Sequence, residues 1–133
     1  MNWIGEFLPN ERELNIFDIG AHDFNDSIKF KYFFPFSDVY AFEPSSRNYN
    51  SYSKTAQQYG VKTFKLALSN KDGTSTFYNS KDLGGVEWTA SGSLLKPTDK
   101  GCERIHFEAD EVVNTLTLDT FCKQTGIEHV DII

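Results

Sequence analysis

Leu14-Asn15-Ile16-Phe17-Asp18-Ile19-Gly20, followed by Ala21-His22-Asp23-Phe24-Asn25-Asp26-Ser27, is the stretch on which the reading of this chain turns. It is a short apolar run that ends in an acid and a glycine. Strands of a parallel sheet have this form, because helices cover both faces and the alternation of polar and apolar residues disappears. Asp26-Ser27 then offers a cap for a helix through Ile28, Phe30, Tyr32 and Phe33, with a stop at Pro35.

Working outward, Asp38-Val39-Tyr40-Ala41-Phe42-Glu43-Pro44 reads as a second strand ended by proline. Ser45 or Ser46 caps a helix from about Arg47 to Tyr59, and Gly60 closes it in a left-handed conformation. Val61 to Leu68 makes a third strand. Strand, helix, strand, helix, strand with short linkers predicts an α/β fold: a mostly parallel sheet, right-handed crossovers and helices on both faces. Beyond it, Asn70-Lys71-Asp72-Gly73 is a turn and Thr74 to Asn79 a strand. Ser80 to Gly101, rich in Gly, Ser, Thr and Lys, reads as a long loop. Glu103 to Val113 alternates again through Ile105, Phe107 and Val112, and Leu118 to Thr125 has helical spacing before Gly126. Val130 to Ile133 opens a fourth core strand, inside which the sequence ends. The expected organisation is a lead-in over 1–13 and a partial α/β domain over 14–133, truncated at that fourth strand. Its apolar edge is a surface through which copies could pair as an oligomer.

Composition narrows the function classes. Thirteen basic against 19 acidic residues give a formal charge of −6, which repels polyanions and argues against a nucleic-acid partner. No apolar run approaches the roughly 20 residues of a membrane span, so no membrane partner is expected. The amino terminus lacks a basic stretch followed by an apolar one, and Cys102 and Cys122 stand alone. Both observations lead to the expectation of a cytoplasmic protein with reduced thiols and no metal site.

The chemistry gathers at strand ends, where open α/β sheets bind ligands. Gly20 lets the backbone turn sharply and lets a ligand come close. Asp18 either accepts hydrogen bonds from a cationic or hydroxylated ligand or braces the loop's amides. Glu43, at the tip of the second strand, has the two oxygens needed to take both ribose hydroxyls of a nucleoside; the bland alternative is a solvated strand-end acid. A dinucleotide would want G-x-G-x-x-G, yet His22 and Asn25 follow Gly20, and Asp23 and Phe24 would repel and crowd a pyrophosphate. A nicotinamide enzyme is therefore disfavoured. S-adenosylmethionine has no phosphate, and its sulfonium and amino group suit carboxylates. His22 is the histidine nearest that mouth, either as a base for an acceptor hydroxyl or as a brace of the loop. Asp23 and Asp26 read as helix-start acids. Trp88 either stacks on an acceptor ring or plugs the core. His106 and His129 receive no role.

These residues resemble the FkbM-type family of S-adenosylmethionine-dependent methyltransferases, over nearly the whole chain from Leu14. FDIGAHDFNDS, Phe17 to Ser27, is similar to the family's FDIGAN-x-G-x-x-S, and EPSSRN, Glu43 to Asn48, to its EP-x-P-x-N. Ala67-Leu68-Ser69 through Gly73, Thr89 to Leu94, and above all VNTLTLDTFCKQTGIEHVDII, Val113 to Ile133, extend the likeness. The resemblance implies a Rossmann-like methyltransferase sheet with S-adenosylmethionine as cofactor. The expected reaction is methyl transfer to the hydroxyl of a small-molecule or sugar acceptor. It further implies that Asp18, Gly20 and Ala21 line the cofactor's methionine end, Glu43 its ribose, and Ala67, Leu68 and Ser69 its adenine; His22 and Pro44 complete the candidates. His22 stands where the family has Asn, and Phe24 where it has a second glycine. Phe24, together with the missing later half of the domain, carries an alternative, a non-catalytic binding or interaction module on a degenerate scaffold. The family's Lys-x-Asp-x-Glu-Gly segment is absent from this sequence, as are the family's later strands, and no catalytic residue is assigned.

Overall fold

A computed structural model describes residues 12–98, 104–108 and 110–133. The apolar run that opened the sequence reading is β1 (Asn15–Ile19). It pairs in parallel with β2 (Asp38–Phe42), and β2 pairs in parallel with β3 (Lys62–Phe64). Between them run α1 (Asn25–Phe33) and α2 (Ser46–Gln58). Ile132 bridges Ile16 in parallel, and Phe17 N–H donates to the Ile132 carbonyl at 2.9 Å. Since β2 holds the other edge of β1, the end of the sequence lies on the opposite side of β1 from β2.

The period of two along a strand explains how this sheet is covered. Ile16, Val39 and Ala41 point to one face, where they meet Phe24 and Phe34 from the ends of α1 and Ala56 of α2. Phe17, Tyr40 and Phe42 point to the other, where Phe121 of α3 (Leu118–Thr125) joins them. The Phe121 ring meets Phe42 and Phe64 edge-on at centroid distances of 4.8 and 4.9 Å. Such pairs add about 0.5–1.5 kcal/mol each to the burial of their area. Helices thus cover both faces, as the sequence leads one to expect.

The remaining strands do not join this parallel sheet: the strands divide among three small sheets. β4 (Ala67–Leu68) and β5 (Gly73–Phe77) flank β9 (Glu111–Leu116), the first parallel and the second antiparallel. β6 (Ser80–Leu83) lies between β7 (Val86–Glu87) and β8 (Ile105–Phe107), both antiparallel. The single strand expected over Val61 to Leu68 is two, because the chain leaves β2 after Phe64 and pairs with β9 from Ala67. Ser80 to Gly101 is not a bare loop, since it holds β6, β7 and a bridge from Tyr78 to Ser93. The alternation through Ile105, Phe107 and Val112 changes phase between β8 and β9: Val112 is exposed, while Val113 and Thr115 point inward. Cys102 lies outside the described residues, and Cys122 is a free thiol.

The start of α1 also differs from its expected form. Asp26-Ser27 does not cap it; Phe24 occupies the cap position with φ of 61° and no side-chain cap bond. Asp23 turns the chain instead, its carboxylate accepting from Asn25 N–H at 3.0 Å. Ser27 is fully buried and donates to Asp18 at 2.5 Å.

Candidate functional site

At the exit of β1 the backbone must reverse direction, and Gly20 does so with φ of +80°, a conformation that a side chain resists. The N–H groups of Gly20 and Ala21 both donate to the Phe42 carbonyl at 2.9 Å, which ties the loop to the end of β2. His22 N–H donates to Glu43 Oε2 at 2.8 Å, and Ser45 N–H to Glu43 Oε1 at the same distance. Glu43 is only 4% exposed and is clamped between the β1 loop and the start of α2. The strand-end acid is therefore not a solvated one. Burial pushes its carboxyl above the ordinary range, against the lowering effect of the two backbone N–H donors. Asp18, half-buried on β1, is also raised by burial, with the Ser27 hydroxyl opposing.

Glu43 stands at the point where a ligand is expected. Strand order runs from β1 outward to β2 and β3 on one side and to Ile132 on the other. Ligands of open α/β sheets sit beyond the carboxyl ends of the strands, where the order reverses in this way.

Two adjoining cavities occupy that place. One, of about 80 Å³, is lined by Gly20, His22, Glu43, Pro44, Asn48, Phe77, Thr89, Ala90 and Gly92. The other, of about 270 Å³, lies beside Ile19, Leu66, Ala67, Leu68 and Leu94, and shares Gly20, Pro44, Phe77 and Gly92 with the first. The fold therefore brings Gly20, His22, Glu43 and Pro44 to one cavity and Ala67 and Leu68 to the adjoining one, with Gly20 and Pro44 shared. Ala21 is buried behind its loop, and Asp18 and Ser69 line neither cavity. The Phe24 ring, expected to crowd a ligand, is fully buried in the core instead, edge-on to Tyr49 at 6.2 Å.

Several residues of the site escaped the sequence reading. Thr89 accepts or donates at His22 Nε2, 2.7 Å away, and its carbonyl accepts from Asn48 Nδ2 at 3.3 Å. His22 thus braces a segment distant in sequence. Trp88 does not plug the core: it is 41% exposed, and its indole N–H donates to Ser91 Oγ at 2.8 Å. Behind Glu43, Ser45 Oγ donates to Asn79, and Asn79 Nδ2 donates to Glu111 at 3.0 Å. Glu111 also accepts from Ser46 N–H and from its hydroxyl. Arg47 pairs with Glu108 and donates to the Ser80 carbonyl at 2.8 Å. This network fixes the first turn of α2 against the second and third sheets. Asn48 and Thr89 carried a signal, being part of the EPSSRN and Thr89 to Leu94 stretches, though not one that paired them; Glu111 carried none, since its partners are far away in sequence.

Among the described residues no cluster of His, Cys, Asp and Glu could hold a metal ion, and no helix is long and apolar enough to cross a membrane.

The chain is 30% identical over 125 residues to the 2-O-methyltransferase NoeI of Sinorhizobium fredii; the match covers 89% of this chain and 50% of NoeI. The chain thus spans about half the length of that relative. No solved structure matches it. The family model described as the methyltransferase FkbM domain matches residues 18–133, from the strand-end acid Asp18 through Glu43 to the last residue, and the chain belongs to that family.

Proposed function

We propose that this chain carries the S-adenosylmethionine-binding portion of a methyltransferase with a Rossmann-like sheet. Its acceptor would be a hydroxyl of a sugar or other small molecule. The observation that carries this reading is Glu43: a buried carboxylate held by two backbone N–H groups beside the Gly20 turn, at the point where strand order reverses. Each of its oxygens accepts one backbone hydrogen bond and has lone-pair capacity left, so the chemistry suits a pair of ribose hydroxyls. The larger cavity beside Ala67 and Leu68 is apolar enough at Leu66, Phe77 and Leu94 to suit a flat base. S-adenosylmethionine supplies the electrophilic methyl group when bound. The residues of this chain would bind and orient it and keep water from the Gly20 loop. The 2-O-methyltransferase relative supports a hydroxyl acceptor. Of the two grounds for the degenerate-module alternative, Phe24 weighs less, because its ring lies in the core and lines neither cavity.

Isothermal titration of the protein with S-adenosylmethionine, with NADH as control, tests the reading. Saturable binding of S-adenosylmethionine alone is expected, weakened at least tenfold in Glu43→Ala that still melts cooperatively. Binding of NADH instead, or equal affinity in the variant, would overturn it.

A further inference from the structure

The Glu43 cavity is too small for the ligand its chemistry suits. It measures about 80 Å³, against the roughly 300 Å³ at which small-molecule pockets begin. What closes it is Thr89–Gly92. Thr89, Ala90 and Gly92 line the cavity opposite Glu43, and the same Gly92 lines the neighbouring 270 Å³ cavity. Gly92 lies so close to Phe77 that a Cβ there would stand 2.5 Å from the ring. Gly92 thus stands, with Gly20, Pro44 and Phe77, at the boundary between the carboxylate's cavity and the space beside Ala67 and Leu68.

Its attachments suggest a hinge at each end and a latch between. Trp88 N–H donates to the Lys81 carbonyl at 2.9 Å, and Ser93 pairs with Tyr78 through two backbone bonds of 2.8 and 3.0 Å. Ser91 N–H donates to Ser80 Oγ at 3.0 Å. Over the cavity itself, Thr89 is held through its hydroxyl to His22 of the β1 loop and through its carbonyl, which accepts from Asn48 of α2.

We propose that Thr89–Gly92 is a strap latched over Glu43 by the His22–Thr89 contact, and that binding of a nucleoside cofactor displaces it. The displaced strap merges the two cavities into one cleft running from Glu43 to Ala67. This inference rests on the cofactor site proposed above. It adds that affinity is set in part by how often the strap is open, since a ligand that binds only the open form is weakened by the closed fraction.

Trp88, next to the latch, is a built-in reporter. The chain has two tryptophans, so a Trp3→Phe background leaves Trp88 alone. In that background, S-adenosylhomocysteine is titrated into the parent, Thr89→Val and Thr89→Ser. Valine keeps the shape and removes the hydroxyl; serine keeps the hydroxyl. The expected result is a saturable change in Trp88 emission. Thr89→Val should bind roughly two- to tenfold more tightly, the worth of one hydrogen bond, and Thr89→Ser like the parent. Should Thr89→Val fail to fold, Gly92→Ala replaces it, since its methyl group would push the strap off Phe77 and tighten binding likewise. Calorimetric binding of equal strength in parent and variant, with unchanged Trp88 emission, would overturn the strap and leave the cofactor site standing. Absence of binding in every folded variant would overturn both.

Discussion

Asp18 is held where its charge is disfavoured. Burial pushes its carboxyl above the ordinary range, and the Ser27 hydroxyl offsets only part of that. A carboxyl whose folded value exceeds its unfolded one makes the folded state bind more protons. Stability then falls as pH rises from the ordinary value through the folded value, and stays lower above it. Asp18→Asn removes the charge and keeps a carbonyl oxygen for Ser27. At neutral pH this variant should melt a few degrees above the parent. The gap should close as pH falls toward 3.8, the ordinary value for this side chain. Melting curves followed by circular dichroism across that range check it; a parent more stable than the variant at neutral pH contradicts it. Glu43 has the same sign, with burial as its leading cause. Its two oxygens each meet a backbone N–H, however, so Gln there would set an amide against one donor. A buried acid kept at a stability cost beside a glycine turn fits a role in binding.

At the scale of elements, α3 shows how a short helix is made to stay in place. Thr117 Oγ1 accepts from Thr120 N–H at 3.1 Å, and Gly126 closes the other end with φ of +72°. Asp72, from the turn before β5, accepts from Thr117 N–H and Thr120 Oγ1 and so staples the helix start to the second sheet. Thr117→Ala should lower unfolding free energy by about 1 kcal/mol, the usual worth of such a cap. Urea denaturation of the two proteins measures it, and an unchanged midpoint would count against the cap. This helix was legible in the sequence because the Leu118, Phe121 and Cys122 spacing lies within it and Gly126 follows directly. β1 and β2 were legible for the same reason, and with them Gly20 and Glu43, whose places follow from where strands end. The start of α1 was not, because Phe24 adopts a left-handed conformation that its side chain does not announce; core burial holds it there. The division of Val61–Leu68 between two sheets was hidden too. Alternation fixes which face a residue takes, and says nothing of which strand lies beside it. The latch of Thr89 to His22 escaped on the same ground, for it is a contact made only by the fold.

Across the whole molecule, the carboxylates that join the sheets titrate in the opposite sense from those at the ends of β1 and β2. Glu111 lies below its ordinary range: burial acts upward, but hydrogen bonds from the Ser46 hydroxyl, Asn79 and Ser46 N–H outweigh it. Asp72 is lowered by Thr117 N–H and by Thr120. Groups of this kind contribute stability that is present above the unfolded value and lost as pH falls through the folded one. For Glu111 the loss begins below 4.5 and for Asp72 below 3.8. Asp18 and Glu43, both raised, relieve their cost on the way down through the region above those values. Acidification should therefore loosen the junction of α2 with β9 and of α3 with the turn before β5, while the β1–β2 pair keeps its protection. Hydrogen exchange at neutral pH and at about pH 3, corrected for the intrinsic rate, separates the two regions. Amides of β9 and the first turn of α3 should lose protection first. Glu111→Gln keeps an acceptor for Ser46 but no titrating charge, and should flatten the pH dependence at β9. Equal loss across β1, β2 and β9 would mean that the sheets unfold as one unit and that these junction carboxylates do not govern how they come apart.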